Sequence, residues 1–169
     1  MSRKVLILDT SVLCCLLDVP GKETAGSGDD RWTRHSVEAV IEREKAAAST
    51  FVLPIAALIE TGNHISQAPR LRYECALELA KLLEVAAEAQ SPWAPFTEQS
   101  ELWQRERLLT LGQQWPKLAA GGTSIGDATI KDVAEYYARA GFRVEILTGD
   151  AGLKAYEPKQ PPLQPRRRR

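Results

Sequence analysis

Val5-Leu6-Ile7-Leu8-Asp9-Thr10-Ser11 is the stretch on which the reading of the fold turns. Its unbroken run of apolar residues, followed at once by an acid and two hydroxyls, predicts a short strand buried on both faces. Strands of that kind belong to parallel sheets covered by helices. In such sheets the functional groups collect beyond the carboxyl ends of the strands, which is where Asp9 falls. Asp9 is therefore a candidate metal-binding or catalytic carboxylate. The plainer account is that Asp9 or Ser11 caps the helix that follows.

Upstream, Arg3 and Lys4 before an apolar run resemble the start of a signal peptide. Asp9, Thr10 and Ser11 interrupt that run and no small-residue cleavage site follows, so secretion is not expected. Downstream, Ser11 to Leu17 predicts a short apolar helix closed by Pro20-Gly21. Lys22 to Asp30 is a polar loop with Gly26 and Gly28, read as a surface excursion or a lid. Asp29 or Asp30 is expected to cap a helix reaching about Ala48, with Val37, Val40 and Ile41 as its apolar stripe. Ser49 to Leu53 has strand character and ends at Pro54.

Ile55 to Ser66 predicts a helix in which Glu60 stands beside the apolar positions Ile55, Leu58 and Ile59. A carboxylate there is costly unless paired or metal-bound. Asn63 and His64 share its face. With no second histidine nearby, Glu60 and His64 make only half of a helical metal motif, and Asn63 is a candidate supporting contact. His35 has no such neighbours. A long helix is expected from Arg70 to Ala89, then a proline-rich break at Ser91–Phe96 with an edge strand. A helix from about Thr97 to Gln114 carries Arg105 and Arg107, read as a solvated face, and Trp115 to Thr123 reads as a loop. Asp127 falls in the first turn of a helix beginning at Ser124, where an acid is favourable in any case. After Gly141, Phe142 to Leu147 predicts another strand, ending in Thr148-Gly149-Asp150.

At 169 residues the chain is sized for one domain. The expected division is a domain over residues 1–156 and a flexible proline- and arginine-rich tail over residues 157–169. Lys plus Arg and Asp plus Glu number 22 each, but Arg166 to Arg169 are four of the basic residues, leaving 18 against 22 in the body. Such a mildly acidic body suits carboxylates gathered on a cation. The cysteines, Cys14, Cys15 and Cys75, are odd in number and lack a CxxC spacing, which predicts packed thiols of a cytoplasmic protein. No apolar run approaches the ~20 residues of a membrane span.

Asp9 and Asp150 at strand ends, Glu60 on a helix after a buried strand and Asp127 in a first helical turn can converge on one cleft of a parallel sheet. Four such carboxylates would repel and take up protons, and a divalent cation removes that penalty. All-oxygen ligands favour Mg²⁺ or Mn²⁺ over Zn²⁺. The chemistry available to that centre is metal-assisted phosphodiester hydrolysis, with Thr10, Ser11 and Thr148 holding the carboxylates by hydrogen bonds.

In the order Leu8-Asp9-Thr10-Ser11-Val12-Leu13, Leu58-Ile59-Glu60, Gly126-Asp127-Ala128-Thr129-Ile130 and Leu147-Thr148-Gly149-Asp150, the chain resembles a PIN-domain nuclease. The resemblance spans about residues 4 to 153 and is closest to the VapC-type toxin ribonucleases of bacterial toxin–antitoxin pairs. It implies a three-layer α/β/α sandwich with a short parallel sheet and Mg²⁺- or Mn²⁺-dependent endoribonuclease activity on RNA. It also implies an antitoxin protein as a partner and frequent homodimerisation. Carried over to this chain, Asp9, Glu60, Asp127 and Asp150 would be the acidic quartet. The loop at residues 18 to 30, the stretch from Gln90 to Ser124 and the arginine tail exceed the most compact toxin pattern.

Other classes fit less well. A haloacid-dehalogenase-type phosphatase wants a second acid two residues after the first, where this chain has Ser11. A phosphorelay receiver wants an earlier acidic pair; Lys154 alone would match. A PIN-like scaffold that binds RNA or protein without cleaving it is the non-catalytic alternative.

Overall fold

The computed structural model describes residues 3–94 and 96–159. The order of elements is β1 (Lys4–Leu8), α1 (Thr10–Leu16), a 3₁₀ turn (Gly28–Asp30), α2 (Arg34–Ala46), β2 (Thr50–Val52) and α3 (Ile55–Gln67). There follow α4 (Arg72–Ala87), a 3₁₀ segment (Phe96–Trp103), α5 (Arg105–Ala120), α6 (Ile125–Arg139), β3 (Arg143–Leu147) and α7 (Ala151–Lys154). The chain is a mixed α/β fold around an open, three-stranded parallel sheet ordered β2-β1-β3.

β1 is the central strand. Val5, Leu6, Ile7 and Leu8 are all 0% exposed. Because successive side chains point to opposite faces, both faces of the sheet must be covered, as an α/β/α sandwich requires. Val37 and Ile41 of α2, Ala57 of α3 and Val133, Ala134 and Tyr137 of α6 join β1 in one continuous core. Full burial of each large aliphatic side chain is worth about 1.5–3 kcal/mol, so β1 is the most heavily anchored strand of the sheet.

The register aligns the strand ends. Leu8 lies opposite Leu147, and Ile7 lies opposite both Val52 and Ile146. The Asp9 amide continues the ladder by donating to the Leu147 carbonyl at 3.0 Å. The chain therefore leaves all three strands at one edge. β2 and β3 flank β1 on opposite sides, so this edge contains the switch of direction at which ligands bind in open α/β sheets.

Four local expectations need correction. α2 is capped by Thr33, not by Asp29 or Asp30. Thr33 and Ser36 cap one another's backbone amides in a reciprocal box, while the two acids lie in the preceding 3₁₀ turn. Among the described residues of the break at 91–96, a single parallel bridge between Phe51 and Trp93 takes the place of the expected edge strand. The prolines that flank it have no amide to extend a ladder. A helix starting at Thr97 is replaced by the 3₁₀ segment, and α5 begins at Arg105. Finally, α5 continues through Pro116 to Ala120 where a loop is expected. The Trp115 indole donates to the Thr123 carbonyl at 3.1 Å and ties the end of α5 to the start of α6.

No described helix is long and apolar enough to cross a membrane. Cys14, Cys15 and Cys75 are buried free thiols. The expected tail lies, from residue 160 onward, outside the described residues.

Candidate metal centre

Asp9, Glu60, Asp127 and Asp150 line one cleft of about 420 Å³ at the carboxyl edge of the sheet, together with Thr10, Ser11 and Ser124. Each acid arrives by a different local device. Asp9 follows β1 and is the N-cap of α1, its backbone extended and its side chain accepting from the Ser11 amide at 3.3 Å. Asp150 caps α7, accepting from the Leu153 amide at 3.0 Å. Asp127 sits in the first turn of α6, where its own amide donates to the Ser124 hydroxyl at 2.9 Å. Three helix amino ends thus favour negative charge at the cleft. Glu60 comes from the middle of α3. The capping account of Asp9 is therefore correct but incomplete, since capping and lining the cleft are performed by the same carboxylate.

Asp9 is 5% exposed. Ser11 Oγ donates to its Oδ2 at 2.7 Å and Thr148 Oγ1 to the same oxygen at 2.8 Å. With the Ser11 amide, every donor converges on Oδ2, and Oδ1 is left for the cleft. Ser11 Oγ also accepts from the Gly149 amide at 2.9 Å, and Thr148 Oγ1 from the Asp150 amide at 2.9 Å. Two hydroxyls therefore stitch the end of β1 to the end of β3. Thr10 Oγ1 donates to Glu60 Oε2 at 3.1 Å. The other side of Glu60 abuts α6, where a Cβ at Gly126 would collide with Glu60 Oε1.

The carboxylates feel one another. Burial raises the Asp127 pKa above its ordinary value; the Ser124 hydrogen bond opposes that, and the charges of Asp9 and Asp150 add to it. The oxygens of the four acids are donors of the kind that suits a hard divalent cation, and His64 and Cys14 line the same cleft beside them. Among the described residues, no three histidine, cysteine or acidic side chains are gathered tightly enough to form a ready-made coordination sphere. Unneutralised carboxylates repel, so drawing them closer requires the charge of a cation.

His64 lines the cleft, whereas Asn63 is exposed on α3 and does not. Asn63 contributes a backbone carbonyl to Ser66 Oγ at 2.8 Å. Cys14 also lines the cleft, but burial, reinforced by Cys15, pushes its thiol up to about 12, so it is no thiolate nucleophile at neutral pH. The residues that sequence reasoning passes over are Ser124, Lys22 and Thr24. Ser124 had a visible signal as the cap of α6; Lys22 and Thr24 entered only within a loop read as a surface excursion or a lid, because a loop's docking site is not written in its own pattern. No family model, curated protein or solved structure matches this chain.

Proposed function

We propose that the chain is a divalent-metal-dependent endoribonuclease of the PIN-domain kind, hydrolysing RNA phosphodiesters through its acidic quartet. The observation that carries this reading is the meeting of Asp9, Glu60, Asp127 and Asp150, from four separate parts of the sequence, in one cleft at the sheet's carboxyl edge. Asp9 through Oδ1, with Glu60, Asp127 and Asp150, would hold Mg²⁺ or Mn²⁺. That ion, when bound, polarises a phosphodiester and acidifies water. Ser11 and Thr148 orient Asp9, and Thr10 orients Glu60. Such hydrogen bonds fix ligand geometry before substrate arrives. Burial first, and the charges of Asp9 and Asp150 after it, disfavour ionised Asp127, which suits this carboxyl to exchange a proton in the metal-free cleft.

RNA as substrate, a homodimer, an antitoxin partner and a toxin role belong to the same proposal and rest on the resemblance of the motifs; a cytoplasmic setting rests on the free thiols of Cys14, Cys15 and Cys75. The competing reading is a non-catalytic RNA- or protein-binding scaffold, favoured by the absence of a tight three-ligand group among the described residues. One assay separates the two. Cleavage of diverse RNAs with Mg²⁺ or Mn²⁺ is compared for wild type, Asp9→Asn and Asp127→Asn. The nuclease reading expects cleavage by wild type and a loss of roughly a hundredfold or more in each variant. Equal cleavage by all three proteins, or none by wild type, removes it.

A further inference from the structure

Residues 18 to 30 are fastened to the cleft. Ala25 and Trp32 exchange backbone hydrogen bonds of 3.2 and 2.7 Å, closing the loop's second half into a turn. The Trp32 indole donates to the Thr148 carbonyl at 3.0 Å, on the same residue whose hydroxyl holds Asp9. Gly149 packs so closely under the turn that a Cβ there would lie 2.6 Å from the Gly26 amide nitrogen and 2.7 Å from Ala25 Cβ. Gly26 has a φ of +79°, a conformation that favours glycine. The loop is thus built against the segment that carries Asp150, and it brings Lys22 and Thr24 to the wall of the acidic cleft.

Lys22 is unusual there. Among the described residues its ammonium has no hydrogen-bond or ion-pair partner, although it lines a cleft with four carboxylates. One divalent ion on four carboxylates leaves the cleft net negative, and an approaching phosphodiester is repelled. A free ammonium at the rim supplies the attraction that the floor of the cleft lacks, and Thr24, two residues on, lines the same cleft with a hydroxyl.

We propose that Lys22, with Thr24, forms a phosphate-binding subsite for the backbone of single-stranded RNA at the mouth of the cleft. The subsite rests on the nuclease reading for the identity of its ligand, but it binds rather than cleaves. Its experiment is therefore a binding measurement. Fluorescence anisotropy of a labelled single-stranded oligoribonucleotide in Mg²⁺ is followed at several salt concentrations, with Asp127→Asn as the cleavage-free background. Each phosphate contact to a single strand contributes about −0.7 to the slope of log K against log salt. Adding Lys22→Met is expected to weaken binding several-fold and to make that slope shallower by about 0.7. Lys22→Arg is expected to keep both. Lys22 is exposed, so the unfolding midpoint of Lys22→Met should equal that of its parent.

An unchanged slope in Lys22→Met overturns the subsite, and wild-type cleavage in the same preparation would leave the nuclease reading standing. A shallower slope without any wild-type cleavage supports the subsite and removes the nuclease reading. Absence of RNA binding by the parent overturns the subsite, and wild-type cleavage alone then decides the nuclease reading.

Discussion

At Gly126 a methyl group would strike Glu60 Oε1 and crowd Glu60 Cδ at 3.2 Å. The atoms struck are at the end of a flexible side chain, so the fold can yield by letting the carboxylate swing away. Alanine is also the better helix former, although at the second residue of α6 the gain falls short of the ~0.5–1 kcal/mol of a helix interior. Gly126→Ala should therefore leave denaturant stability unchanged or slightly higher while lowering RNA cleavage roughly tenfold or more, since a displaced ligand costs activity. Undiminished cleavage would mean that the seat of Glu60 is irrelevant to the reaction. Asp127 presents the complementary case, a side chain costly to stability when charged. Its pKa is raised above the ordinary 3.8 by burial first, with Asp9 and Asp150 adding to it. A carboxyl raised in the folded state binds its proton more readily there than in the unfolded chain, so metal-free stability declines as pH rises above about 3.8. Asp127→Asn should be more stable than wild type in chelator at neutral pH, and the difference should shrink as pH is lowered toward 4. A destabilised Asp127→Asn would point to a structural role for that carboxylate.

Among the elements, the two edges of the sheet are treated in opposite ways. At the amino edge Lys4 of β1 bonds Glu44 of α2 at 2.7 Å and Glu145 of β3 at 2.6 Å. Glu44 also accepts from Ser49 Oγ at 2.8 Å and from Arg43 at 3.2 Å. Burial works against ionising Glu44, but the bonds from Lys4, Ser49 and Arg43 win and hold its carboxyl at about 2 instead of 4.5. This depressed value stabilises the fold above about 4.5, and the benefit is lost as pH falls towards 2. Glu44→Gln should cost about 2–3 kcal/mol at neutral pH by chemical denaturation, with the gap to wild type closing through that acid window. A constant gap down to pH 2 would remove the ion cluster as its cause. Much of the element order was readable beforehand, because a wholly apolar run marks β1 and helical periodicity marks α3, α4 and α6. Glu44 was not, since a buried acid on a mostly polar helix looks like solvated surface until Lys4 and Ser49 are brought to it. The stretch from Trp115 to Thr123, read as a loop, differs for a related reason. Local propensity ends a helix at Pro116, whereas contacts between α5, α6 and Thr123 carry it on.

For the molecule as a whole, the contrast between a neutralised amino edge and an acid-rich carboxyl edge follows from topology. Parallel strands ordered β2-β1-β3 force Asp9 and Asp150 to emerge side by side, while α3 and α6 deliver Glu60 and Asp127 to the same place. That the acids could share a cleft was readable from their positions after strands and in a first helical turn. How far they would stand apart was not, because separation depends on the balance between packing and mutual repulsion. This balance makes the cleft a reporter of its own cation. An ion that binds only the folded chain raises stability by RT ln(1 + [ion]/Kd), about 2.7 kcal/mol at a hundredfold excess over Kd. For a chain of this size that is roughly 5–10 °C in Tm. Mn²⁺ should therefore raise the Tm of wild type in thermal unfolding at neutral pH, and Asp9→Asn should lose most of the rise. Protons compete for the same oxygens, and Asp127 holds its proton more firmly than an ordinary aspartate. The Mn²⁺ effect should accordingly grow with pH through the acid range and level off once Asp127 is ionised. A rise that is equal in wild type and Asp9→Asn, or independent of pH down to 4, would place the ion elsewhere on the surface and leave the quartet as four acids without a shared task.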